Sequence, residues 1–129
     1  IVTATRFEAG MGGHYLKSRA ARVTITGNVF DDRAGRLTNY MIDLSNGASG
    51  LIANNNMVQG RDKDNYSAFI TIAPEGREWD SNGLQIRDNQ ASFGGNFGRN
   101  STFVANWTTD RPQIVGNRLT TGIKVTDRR

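Results

Sequence analysis

This chain of 129 residues has no cysteine, only two prolines and a single histidine. Without cysteine, a disulfide scaffold and a thiolate metal site are both excluded. The compartment stays open, because a secreted β-solenoid needs no disulfides. No stretch approaches the roughly 20 apolar residues of a membrane-spanning helix, and no signal-peptide pattern is present. A glycine-rich phosphate loop, a zinc-ligand spacing and a nucleophile elbow are likewise missing. No segment shows a useful run of apolar residues at i, i+3, i+4, and the intervening segments read as turns, so a βα alternation is not expected. Charge of one sign never gathers into a long block. The net charge of +4 comes from scattered Lys and Arg, most of them near an acid. Such mild basicity suits a polyanionic partner or a plainly solvated surface.

What is present is a repeat. An aliphatic residue, two spacers, an asparagine, one spacer and an apolar residue recur four times. The phrase runs Ile25 to Phe30, Ile52 to Met57, Ile86 to Ala91 and Ile114 to Leu119, with the asparagines Asn28, Asn55, Asn89 and Asn117 standing 27, 34 and 28 residues apart. A period of this length signals stacked supersecondary units rather than one globular core. A second apolar run follows the first three phrases at matching intervals, Tyr40–Leu44, then Phe69–Ile72, then Thr102–Ala105, and Ile123-Lys124-Val125 reads as a last, shortened copy. Each unit is therefore read as two short β-branched strands joined by polar turns.

The expected fold is all-β: a right-handed parallel β-helix of about four to five coils, forming one domain over residues 1–129. The 36% apolar content suits a narrow solenoid core, and 15 glycines suit many tight turns. The four asparagines should stack in one column, taking up left-handed backbone angles and bonding along the stack. Ile25, Ile52, Ile86 and Ile114 should face the interior. The chain begins at Ile1-Val2-Thr3, already strand-like and without an initiator Met. It is accordingly read as a segment of a longer helix whose upstream coils are missing. Flanking coils or a partner chain are expected to cover the open ends.

Candidate chemistry concentrates in Gly13-His14-Tyr15-Leu16-Lys17-Ser18-Arg19-Ala20, where the only histidine lies beside two cations. On a strand, Lys17 and Arg19 share a face. Together they can hold a carboxylate or sulfate, or lower the pKa of Lys17 enough for base work. The plain alternative is an outward, solvated basic pair. The turns Ser45-Asn46-Gly47 and Pro74-Glu75-Gly76 close equivalent strands in later coils. Stacking would bring Asp43 and Glu75 to the side of the helix that carries Lys17. Asp62-Lys63-Asp64-Asn65 looks like half a calcium loop but lacks its glycine and distal glutamate, so no metal and no cofactor is expected. Trp79 and Trp107 are candidates for sugar stacking or for loop anchoring.

The run Gly13–Ala20, followed by Asn39–Gly47 and Pro74-Glu75-Gly76, resembles bacterial right-handed parallel β-helix proteins of the pectate-lyase-like superfamily. More narrowly, it is similar to a group with a Gly-His-x-x-Lys-Ser-Arg-Ala signature. Here Ser45-Asn46-Gly47-Ala48 stands where that group tends to have Pro-Asn-Gly-Gly. The resemblance covers most of residues 10–92 and implies an extracytoplasmic, carbohydrate-linked role in a bacterium. The expected function is a module binding or cleaving an acidic polysaccharide, with nucleic acid not among its partners. As an enzyme it would be a lyase, with Lys17, Arg19 and His14 catalytic and Tyr40, Asp43, Asn46 and Glu75 binding substrate. A non-catalytic structural or adhesive solenoid, from a surface protein or phage fibre, is the alternative.

Overall fold

The computed structural model describes all 129 residues, and every regular element in it is a strand. With no helix present, none is long and apolar enough to cross a membrane. Three five-stranded sheets form the body. The first holds Val2–Thr3, Arg22–Thr26, Ser49–Ala53, Leu84–Arg87 and Gln113–Val115. The second holds Arg6–Glu8, Val29–Asp31, Asn56–Gln59, Gln90–Phe93 and Arg118–Leu119. The third holds Leu16–Ser18, Ile42–Leu44, Ala68–Ile72, Ser101–Asn106 and Ile123–Arg128. A short fourth sheet pairs Met11–Gly13 with Arg36–Thr38 and is extended by a bridge from Thr38 to Lys63. All pairings are parallel. The chain visits the three main sheets in the same order five times, which is consistent with a parallel β-solenoid.

Two parts of the sequence reading need correction. Each pass contributes three principal strands, not two. The Ile-x-x-Asn-x-apolar phrase bends at its asparagine, so its isoleucine and its last apolar residue lie in different sheets. Ile25, Ile52, Ile86 and Ile114 align in the first sheet. Phe7, Phe30, Met57, Ala91 and Leu119 align in the second. A residue pattern read along one line could not show this bend. Ile25, Ile52 and Ile86 are buried as expected, while Ile114, in the edge strand, is only half-buried.

The second correction concerns the turn. The left-handed residue is the one before each asparagine. Gly27, Asn54, Asp88 and Gly116 have φ of 66°, 56°, 57° and 66°. The asparagine is thereby freed to point inward as a bonding group. Asn28 Nδ2 donates to Asn55 Oδ1 at 2.9 Å, Asn55 to Asn89 at 2.9 Å and Asn89 to Asn117 at 3.0 Å. Each side-chain oxygen also accepts the backbone N–H of the asparagine one pass earlier. Thr5 stands in the same place in the first pass, and its N–H donates to Asn28 Oδ1. Buried polar groups must be bonded, and this ladder satisfies them along the stack.

The core is narrow, so a modest apolar content fills it. Stacked side chains of like shape repeat at the strand spacing. Phe7 and Phe30 lie 4.9 Å apart with planes within 4°, close to the distance between neighbouring strands. On the third sheet, Leu16, Ile42, Ile70 and Val104 align facing the core. Alternation along the strand then turns Lys17, Asp43 and Thr71 to the outer face.

Candidate functional site

The outer face of the third sheet gathers the seven residues that the sequence singled out. Lys17, Asp43 and Thr71 sit side by side in register on three adjacent strands. Asp43 is 1% exposed and forms the floor. Its Oδ1 accepts the Thr71 hydroxyl at 2.9 Å, and its Oδ2 accepts the Ser45 hydroxyl at 2.9 Å. Lys17 Nζ lies 3.4 Å from Oδ2, and His14 Nε2 lies 3.5 Å from the same oxygen. A buried carboxylate needs this many partners, because burying an unpaired charge is costly.

Above this floor, Glu75 accepts from Lys17 on one oxygen and from Arg19 on the other. Arg19 also donates to Asn46 Oδ1 at 2.8 Å, and Asn46 Nδ2 donates to the Gly76 carbonyl. Trp79 closes one flank, its indole N–H donating to the Arg19 carbonyl at 3.0 Å. Gly47 permits that approach. Its φ is 83°, and a Cβ there would sit 2.4 Å from the Trp79 carbonyl oxygen. On the opposite flank, the Tyr40 ring stacks on His14 with centroids 5.4 Å apart. The Tyr40 hydroxyl accepts from Asn65 Nδ2.

Electrostatics at Lys17 run opposite to the lowering that base work would need. The hydrogen bond to Glu75, then the charge of Asp43 and Glu75, hold the Lys17 pKa above its ordinary value. The two carboxylates that stacking brings to this face outweigh any lowering by the neighbouring Arg19. Lys17 is therefore less ready to give up its proton than a free lysine. Glu75 is held below the usual carboxylate range, by its bond to Lys17 first and to Arg19 second. His14 goes the other way: burial lowers its pKa, and the Asp43 charge offsets part of that. The imidazole is neutral near pH 7. Its Nε2 faces a carboxylate and so carries the proton, which leaves Nδ1 as a buried lone pair without a partner.

A titration of His14 followed by NMR should therefore show a midpoint below 6.5, and Asp43→Asn should lower it further. The stability that rests on neutral His14 is complete above pH 6.5 and is lost as pH falls through the lowered pKa. A midpoint above 6.5 would mean that the Asp43 charge outweighs burial.

Sequence reasoning missed Thr71, Ser45 and the placement of Trp79. Thr71 was legible in principle, since it alternates with Ile70 and Ile72 and lies 28 residues after Asp43. Ser45 was seen only as a turn residue. Trp107 is away from the cation fork and touches the site only from behind, packing against the buried Tyr40, Ala68 and Ala105 cluster and carrying the Arg129 guanidinium 5.3 Å from its ring. No group of three or more His, Asp or Glu is arranged to hold a metal ion. Comparison with family models, with curated proteins and with solved structures finds no match.

Proposed function

We propose that this chain is a right-handed parallel β-helix of the pectate-lyase-like kind, from an extracytoplasmic bacterial protein. Its third-sheet face binds a uronate-bearing polysaccharide. The handedness follows the strong rule for parallel crossovers within a sheet. The observation that carries the functional reading is the fork made by Lys17 and Arg19. Two cations from one short segment converge on a single carboxylate, that of Glu75, with Asn46 beside them. Charge-assisted bonds of this kind are the strong ones in carboxylate recognition. Half-buried Trp79 and His14 flank the fork with ring edges and faces that a sugar ring could pack against, and buried Tyr40 backs the His14 ring from beneath. Of the three basic residues, only His14 is neutral near pH 7 and able to take up a proton.

A second reading, a structural or adhesive solenoid, is favoured by a different observation. Lys17 and Arg19 are balanced by Asp43 and Glu75, so the face carries little net charge. The two readings separate in a binding titration. The parent and a Lys17→Ala, Arg19→Ala double variant are titrated against polygalacturonate, alginate and a neutral glucan. The expected result is binding to the uronate polymers alone, weakened at least about tenfold in the double variant and weakened again by salt. Failure of every polymer to bind, or equal binding by the double variant, gives the lead to the structural solenoid.

A further inference from the structure

Glu75 differs from its neighbours in the cluster. Lys17 and Asp43 are fixed on strands, whereas Glu75 comes from the turn Pro74-Glu75-Gly76. That turn is bounded by two left-handed residues, Ala73 at φ 55° and Gly76 at φ 110°. The turn's backbone is held, with the Glu75 N–H donating to the Ser45 carbonyl and the Gly76 carbonyl accepting from Asn46 Nδ2, but a Cβ on Gly76 would meet nothing within 4 Å, so the Glu75 side chain has open space to swing into. The Glu75 side chain is 39% exposed. Its carboxylate bonds to Lys17 and Arg19 and to no other group. The two cations, by contrast, are held independently of it. Lys17 keeps Asp43 at 3.4 Å, and Arg19 keeps Asn46 at 2.8 Å with its carbonyl tied to Trp79. The fork is thus pre-organised for a carboxylate and would stay in place with Glu75 withdrawn.

We infer that Glu75 is an internal stand-in for the carboxylate of the ligand, and that a uronate carboxylate binds by displacing it from the Lys17–Arg19 fork. This deepens the polysaccharide reading and rests on it for the identity of the ligand, but the exchange itself is a property of the fork. The consequence is competitive. An exposed acid on a short turn is always at hand, so one isolated carboxylate displaces it poorly. A polymer offering several contacts along the groove does better, because linked contacts raise the effective concentration. Glu75 then acts as a threshold that favours chains over free sugar acids. Asp43 cannot play this part, being buried and held by two hydroxyls beneath the fork.

The test uses Glu75→Ala and Glu75→Gln in the full chain at low salt. The second variant keeps the shape and removes only the charge. Polygalacturonate is titrated first. Both variants are expected to bind about tenfold or more tightly than the parent. Equal or weaker binding by both, with the parent binding, overturns the exchange and leaves the polysaccharide reading intact. Acetate is titrated next, with the side-chain NMR signals of Lys17 and Arg19 as the readout. Saturable shifts in the variants, at concentrations that leave the parent unmoved, support a vacated carboxylate site even where no polymer binds. In that case the polysaccharide reading alone fails. Variants that respond to acetate no better than the parent sink the inference.

Discussion

Lys63→Met is expected to lower the unfolding free energy by about 3–5 kcal/mol, the usual loss when one member of a buried ion pair is removed. The Lys63 and Asp32 side chains are both 0% exposed, and Nζ lies 3.3 Å from Oδ2. The ammonium also donates to the Asn39 carbonyl. Burial lowers the Lys63 pKa, and Asp32 offsets part of that penalty. Asp32 is the hub of a closed network. It accepts the Tyr15 hydroxyl at 2.8 Å, the Thr38 hydroxyl at 2.6 Å and the Gly60 N–H at 2.9 Å. Methionine fills the space but leaves the Asp32 charge without a cation. Urea unfolding of Lys63→Met, alongside the Asp32→Asn, Lys63→Met double variant, measures the effect. The double variant should recover part of the loss, since it removes the stranded charge. A loss below about 1 kcal/mol in the single variant would mean that water reaches the pair and solvates it.

Asn89→Ala should be of similar size, and larger than Asn117→Ala. Asn89 Oδ1 accepts both the backbone N–H of Asn55 at 3.0 Å and its side-chain amide at 2.9 Å. Its own amide donates to the Ile52 carbonyl at 3.0 Å. Alanine would strand two donors and an acceptor in a place that water does not reach, at about 1–3 kcal/mol for each group left unbonded. Asn117 plays the same part at the last pass, where its side chain is only half-buried and water can replace what is lost. Asn89→Asp keeps the acceptor for both Asn55 bonds and removes the donor to the Ile52 carbonyl and Asn117 Oδ1, so it should lose only part of what alanine loses. Chemical denaturation of the three variants decides the matter. Equal losses at positions 89 and 117 would show that the ladder adds nothing beyond a local turn.

These two networks differ in how much of them could be read beforehand. The asparagine column is periodic, and periodicity survives in a linear string. Its geometry was only half legible, because the left-handed angle falls on the preceding residue. Gly27 and Gly116 hint at that, while Asn54 and Asp88 obscure it. The Asp32–Lys63 pair left no periodic trace. Asp62-Lys63-Asp64-Asn65 reads as a polar loop, and its charges suggest solvent or a cation. In the structure, Lys63 turns inward to close the gap between the fourth sheet and Asp32, while Asp62 and Asp64 remain exposed.

Sequence alone determined the all-β class, the parallel stacking and the interior isoleucines. Each follows from a spacing that neighbouring passes must share if like residues are to stack. It also pointed to Lys17, Asp43 and Glu75 meeting on the third-sheet face, because Lys17 and Asp43 occupy equivalent strand positions and Glu75 follows the equivalent strand one pass on, whereas the Thr71, Ser45 and Trp79 contacts came only with the fold. Tertiary structure decided the third strand of each pass and the state of charge in the site. The bend at each asparagine is a change of direction with no signature in composition. Lys17 has its pKa raised because Glu75, 58 residues away in the chain, is folded against it. A pKa is set by the charges and solvent within a few ångströms, and those neighbours exist only once the passes are stacked.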